Sequence, residues 1–297
     1  MTSATAAFDD DLVLLKNDAM RARRRAQSVA LLWVWEAIVA LLAAWPVAAG
    51  VDALYGQHPH GDGALWEPGG FFLADLFRRE PALLSSASAF FLATVVLGGL
   101  TGLWPLGALL VSMGHATRER RAPGLGASLL RGAELLPTFG ALFALLGALL
   151  VITLAGARAL TFAMSHHFAA GQGKALADQL GLAAGLSVAA VAIPLLILQD
   201  LARAAAARFR VSALPALRWG MRTIARAPGT LVWAWGWRML ARGVPLFVGA
   251  LVASRIGGRS GPPLLGLFLV HQLVVASSVA LRASWLAAAL RAVDAGD

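Results

Sequence analysis

The fold class this chain predicts is an all-α integral membrane protein: a polytopic bundle of about six transmembrane helices with short amphipathic interfacial helices. Three observations lead there. Six long apolar stretches recur along 297 residues that are 59% hydrophobic and 14% charged, where a soluble domain carries about 25% charged residues. Arginine gathers in alternate connections between those stretches. Each stretch is apolar around its whole circumference and lacks the alternation of a barrel strand.

A helix crossing the hydrocarbon needs about 20 mostly apolar residues. Residues 1–28 precede the first such run. Asp9, Asp10 and Asp11 stand before a Leu-Val-Leu-Leu sequence and Lys16, which predicts a short amphipathic helix on the cytoplasmic membrane surface. The first span, 29–50, ends in Ala48, Ala49 and Gly50, residues that would suit a signal peptidase. The polar segment ahead of it is too long for a signal-peptide n-region, so the span is read as retained. The second span, 83–113, exceeds what a bilayer requires, which tilt or an interfacial first turn accommodates. Spans three to six are placed at 135–157, 180–198, 231–254 and 263–281, with 282–297 as a cytoplasmic tail.

Seventeen basic residues fall on one side of these spans and six on the other. By the positive-inside rule both termini are cytoplasmic, and the Ala-, Gly- and Arg-rich composition suggests a bacterial cytoplasmic membrane. The net charge of +9 does not point to nucleic acid. The basic residues flank apolar spans, where they set topology and attract anionic headgroups. With no cysteine, disulfides and thiolate chemistry are excluded.

The two large cytoplasmic connections resemble each other. One reads Leu130-Arg131-Gly132 before Pro137. The other reads Leu217-Arg218-Trp219-Gly220 before Pro228. In the second, Leu214, Leu217, Met221 and Ile224 share a helical face, while Arg218, Arg222 and Arg226 recur every fourth residue. Such helices can lie among headgroups, which makes Arg131, Arg218, Arg222 and Arg226 candidate lipid contacts. The likeness suggests a parallel internal repeat.

The outer segment 51–81 carries His58, His60 and Asp62, weak metal-ligand candidates because Pro59 and Gly61 leave their geometry undefined. The remaining signals lie inside the spans. Glu36 and Arg238 sit at matched depth, Arg242 lies one turn deeper than Arg238, and His271 and Gln272 reach a similar level from the far side. Charges at such depth are paired or functional. Three readings stay open: a helix-locking pair of Glu36 with Arg238 or Arg242, a polar centre for transport, or arginines snorkelling from a belt that holds Trp233, Trp235 and Trp237. Gly98, Gly99 and Gly102, and Gly181 with Gly185, form small-residue faces suited to helix packing.

No phosphate-binding loop, zinc-protease or nucleophile-elbow pattern occurs, and no cofactor is implied. The function expected is therefore that of a non-enzymatic membrane protein binding protein partners, a second copy of itself or anionic phospholipid through basic cytoplasmic helices. The alternative is a transporter of a small solute or ion, centred on Glu36 and Arg238.

Overall fold

The computed structural model describes residues 12–14, 25–55, 81–117, 121–168, 173–256 and 262–295. The described chain is almost wholly helical. Its helices are α1 (Ala26–Tyr55), α2 (Pro81–Thr101), α3 (Leu103–Gly114), α4 (Leu125–Glu134), α5 (Leu136–Phe168), α6 (Gly173–Phe209), α7 (Ala213–Arg226), α8 (Pro228–Ile256) and α9 (Pro262–Asp294). Among the described residues, five segments in α1, α2–α3, α5, α6 and α9 are long and apolar enough to cross a membrane. Helix α8 is long enough too, but Arg238, Arg242 and its glycines lower its hydropathy and it is not one of the five. The outer surface explains why water cannot be the solvent. Leu240 is 76% exposed and Trp233 72%, within a long roster of exposed leucine, valine and phenylalanine. A soluble monomer rarely carries so much contiguous apolar surface.

Several expected boundaries move. The stretch 83–113 is interrupted at Gly102 without ending the span: Gly102 keeps helical backbone, its N–H reaches the Gly98 carbonyl at 2.8 Å, the Leu106 N–H reaches the Gly102 carbonyl at 3.2 Å, and Leu92–Gly114 is one apolar segment long enough to cross a membrane. Helix α6 runs to Phe209, well past the expected end of the fourth span, and keeps Arg203 and Arg208 inside a buried face. Helix α9 likewise continues to Asp294, past the expected end of the sixth span. Ala283 and the residues from Trp285 to Val293 contribute some of the most deeply buried side chains in the molecule. In these two helices the first charged residue, Asp200 or Arg282, looks like the end of a span, but it is paired within the chain and the helix goes on.

The N-terminal expectation also changes. Leu12–Leu14 forms a strand, β1, paired antiparallel with β2 (His115–Thr117), Val13 lying opposite Ala116. A three-residue ribbon replaces the expected helix over those residues. It brings Leu12–Leu14 to the same end of the bundle as the C-terminus of α3.

That end holds the core. Helix α3, the first turns of α5, the last turns of α6 and α9, and Ala216 of α7 bury leucine, alanine, Phe139 and Trp285 in one cluster. Close approach depends on small residues. Gly132 of α4 meets Gly107 and Ala108 of α3, and a Cβ there would lie 2.6 Å from the Ala108 nitrogen. Gly220 of α7 meets Ala202 of α6 in the same manner, a Cβ lying 3.2 Å from its nitrogen. The Trp104 indole also donates to the Leu129 carbonyl at 2.9 Å, tying α3 to α4.

Candidate functional site

Polar side chains concentrate where α1, α6, α8 and α9 meet the packed end. Glu36 of α1 accepts a hydrogen bond from Arg282 of α9 at 2.8 Å. Its partner is therefore neither Arg238 nor Arg242, as depth matching suggested. Those arginines turn to α9 instead. Arg238 donates to Ser284 at 3.1 Å and to the Ala234 carbonyl at 2.6 Å, with its guanidinium over Trp237. Arg242 donates to Ser278 at 2.7 Å. Serine hydroxyls on α9 thus take the role the sequence reading gave to Glu36.

One helix away lies a second pair. Asp200 of α6 accepts from Arg203 at 3.4 Å and from the Trp285 indole at 2.9 Å. Arg203 is buried, and its Nε has no hydrogen-bond partner. Between the two pairs is a cavity of about 440 Å³ bordered by Glu36, Arg282, Arg203, Gln199, Trp35 and Gly98. Neither His271 nor Gln272 borders it; His271 is exposed and Gln272 half-buried. The Gly98 stripe packs as expected, since a Cβ on Gly98 would strike Val39 of α1 at 2.6 Å. Gly185 has open space around it among the described residues.

A third group sits at the far edge of the packed end. Arg208 donates to Asp294 at 2.7 Å and to the Gly114 carbonyl at 2.8 Å. One side chain thereby joins the ends of α6, α9 and α3. Beside it, His115, Arg131, Glu134, Thr138, Arg210 and Ser212 border a cavity of about 310 Å³. His115 is 5% exposed and its Nδ1 makes no hydrogen bond. Burial, then repulsion from Arg210 and Arg208, lowers its pKa to about 4, with the Val111 carbonyl opposing weakly. Its imidazole is therefore neutral at pH 7. Arg131 is 4% exposed and pairs with Glu134 at 3.4 Å. Its side chain is buried toward this cavity and not on an outward face.

Helix α7 does present an outward basic face. Ala216, Gly220 and Thr223 are buried against the bundle, while Leu214, Arg218, Met221, Arg222 and Arg226 are exposed. The expected apolar face is split. Leu217 and Ile224 pack on the core, and Leu214 and Met221 point outward beside the arginines. His58, His60, Asp62 and the stretch 71–80 lie outside the described residues. Among the described residues, no cluster of metal-binding side chains occurs.

Sequence reasoning missed Arg282, Asp200, Arg203, Arg208, Asp294 and His115. The spacing of Asp200 and Arg203, one turn apart, was a usable signal, and so was the demand of Glu36 for a cation from any helix. Nothing local marked the cross-chain tie of Arg208 to Asp294.

Together these features define a multi-pass helical membrane protein whose polar groups gather at one end. No protein-family model matches the sequence, and no curated protein or solved structure is similar to it.

Proposed function

We propose that this chain is a non-enzymatic component of a bacterial cytoplasmic membrane, crossing it six times with α8 as the sixth helix and both termini inside. Its basic end engages anionic phospholipid and, beside it, protein partners or a second copy. The observation that carries this reading is the outward face of α7, where exposed Arg218, Arg222 and Arg226 stand among exposed Leu214 and Met221. A helix with apolar side chains beside a basic edge suits the boundary between headgroup and acyl chain. Each basic residue near an acidic surface contributes about 1 kcal/mol.

The paired units α3–α4–α5 and α6–α7–α8 fit a parallel duplication. In each, a short helix sets a glycine, Gly132 or Gly220, against the backbone of the preceding long helix, about two turns before that helix ends.

The purified protein should retain phosphatidylglycerol over phosphatidylcholine, measured by mass spectrometry of intact protein–lipid complexes. Arg218→Gln with Arg222→Gln should remove most of the preference. Equal retention of the two lipids by the natural protein would reject the reading.

One observation favours a second reading, a transporter. The cavity beside Glu36, Arg282 and Arg203 combines about 440 Å³ of space with an unsatisfied guanidinium nitrogen. Solute flux in proteoliposomes, lost in Glu36→Gln, would select it over the first.

A further inference from the structure

Glu36, Arg203 and Arg282 border the cavity on which the transporter reading rests. We propose that this cavity binds a monocarboxylate with a single apolar tail, its acid group held by Arg203 and Arg282. The inference shares its site with that reading, names the class of ligand, and is tested apart from flux.

Charge sets the sign of the ligand. Where α1, α6, α8 and α9 meet, Arg203, Arg238, Arg242 and Arg282 stand with two carboxylates, Glu36 and Asp200, among the described residues. Arg238 and Arg242 bond serine hydroxyls, which carry no charge. Cations therefore outnumber anions, and surplus charge inside a span is costly. An anionic ligand reduces the surplus. Arg203 shows where it fits. That side chain is 5% exposed, borders the cavity and leaves its Nε without a hydrogen-bond partner. Its bond to Asp200 uses one terminal nitrogen at 3.4 Å. A buried ionised donor left unmet is expensive, and guanidinium receives a carboxylate through two parallel bonds.

Shape and volume set the rest. Leu32, Glu36, Val39 and Ala43 line the cavity from one face of α1, a length of about 16 Å at 1.5 Å per residue. Past Glu36, toward Ala43, that wall is apolar, and Leu106 of α3 and Phe143 of α5 border the same space. A site charged at one end and apolar along its length suits an amphiphile. The volume of about 440 Å³ gives room for about 15 water-sized groups at roughly 30 Å³ each. A carboxylate with a tail of about ten carbons fits that room, and a two-tailed phospholipid does not. A phosphorylated glycerol head would take most of the space, which leaves carboxylate as the acid.

Glu36 separates an anionic ligand from a cationic one. Its carboxylate already engages Arg282 at 2.8 Å and repels a second anion. Glu36→Gln removes that competition and releases Arg282, so it should tighten the binding of a carboxylate. A cationic ligand would instead lose its partner. The transporter reading has flux lost in the same variant, so binding and transport move in opposite directions.

Full-length protein in a neutral detergent is titrated with decanoate, kept below its own micelle concentration, and with acetate, decanol and decyltrimethylammonium. Thermal unfolding is read for each variant against its own ligand-free baseline. Decanoate should raise the unfolding temperature of the natural protein, and the other three should need at least about tenfold more for the same rise. Arg203→Gln should bind decanoate at least about tenfold more weakly, the loss expected for one charge-assisted hydrogen bond. Ala43→Leu fills the apolar end without touching a charge. It should unfold no lower than the natural protein and also bind decanoate more weakly, which keeps the test open if Arg203→Gln folds poorly. Glu36→Gln should bind decanoate more tightly, and the double variant Arg218→Gln, Arg222→Gln should bind it as the natural protein does. Decanoate binding with no flux in proteoliposomes supports this inference and rejects transport of that ligand. Flux of another solute with no decanoate binding overturns this inference and leaves the transporter reading standing. The proposal is equally overturned if decanol or decyltrimethylammonium binds as tightly as decanoate, if Glu36→Gln weakens decanoate binding, or if Arg203→Gln and Ala43→Leu leave it unchanged.

Discussion

Glu36→Gln and Arg282→Gln, made singly and together, measure the pair that joins the first long helix to the last. The carboxylate oxygen and guanidinium nitrogen are 2.8 Å apart, with the side chains 22% and 33% exposed. Breaking a fully buried pair by removing one partner costs about 3–5 kcal/mol, because the other charge is left uncompensated. Exposed pairs contribute about 0–1 kcal/mol. The partial exposure here places each single loss at about 1–3 kcal/mol. At about 2 °C per kcal/mol for a chain of this size, the unfolding temperature should fall by about 2–6 °C. The double variant should lose little more than either single one, since removing both charges leaves none stranded. A coupling of about 1–2 kcal/mol follows, within the range seen for residues in contact. The cycle is run by thermal unfolding in detergent, alongside Glu36→Gln combined with Arg238→Gln and with Arg242→Gln. Those two combinations should be additive, because Arg238 and Arg242 bond Ser284 and Ser278. Additive losses for Glu36 with Arg282, and coupling of Glu36 to Arg242 instead, would refute the pairing. The exchanged variant Glu36→Arg, Arg282→Glu should recover part of the loss.

Two further outcomes follow from the packed end. Gly132→Ala places a Cβ 2.6 Å from the Ala108 nitrogen and should cost about 1–3 kcal/mol by overpacking, whereas Gly126→Ala in the same helix meets nothing within 4 Å and should gain up to about 1 kcal/mol in helix propensity; equal unfolding temperatures for both would mean α3 and α4 are not in contact. His115, with its folded pKa lowered from 6.5 to about 4, binds a proton more readily in the unfolded chain. Stability should therefore be complete above about pH 6.5 and fall as the pH drops toward 4. From pH 6.5 to pH 5 the natural protein should lose about 2 kcal/mol more than His115→Gln, and parallel pH profiles for the two would remove the buried neutral imidazole.

Composition and periodicity reveal the helices but not their ends, and the reason is local. A hydropathy window stops at Asp200 and at Arg282, because an unpaired charge in an apolar helix is costly. Whether a charge is paired depends on residues far along the chain. Arg282 finds Glu36, 246 residues away, and Arg208 finds Asp294, 86 away. No one-dimensional pattern carries that pairing. Depth matching correctly predicts that Glu36 needs a cation. It selects the wrong one because α8 and α9 both bring arginines to the same level, and the serines of α9 satisfy those of α8. The apolar face of α7 is divided for a different reason. The apolar face of an amphipathic helix is visible in sequence, but glycine and alanine, which carry almost no hydrophobic signal, decide which side approaches a neighbour. Gly220 and Ala216 turn the helix so that Leu214 and Met221 face outward. Conversely, Gly98 was readable because a run of glycines in an apolar span has few uses besides close packing.

The distribution of burial separates the chain into two mechanical regions. The apolar windows of α1, α5 and α6 are each only 17% buried within the chain, so outside the packed end those rods meet their surroundings more than one another. Helix α3 and the last turns of α6 and α9 are buried almost continuously, and α4 and α7 each press three buried residues against them. Transfer of apolar surface gives no preference for helix over lipid tail, and association inside a bilayer rests on close packing and hydrogen bonds. Both are found at the packed end: glycine contacts at Gly132 and Gly220, and the ties made by Arg208, Asp200 and Trp285. Cooperative stability therefore belongs to the basic end. Arg208 closes that end by joining α3, α6 and α9. The cavities of Glu36 and of His115 both border this region.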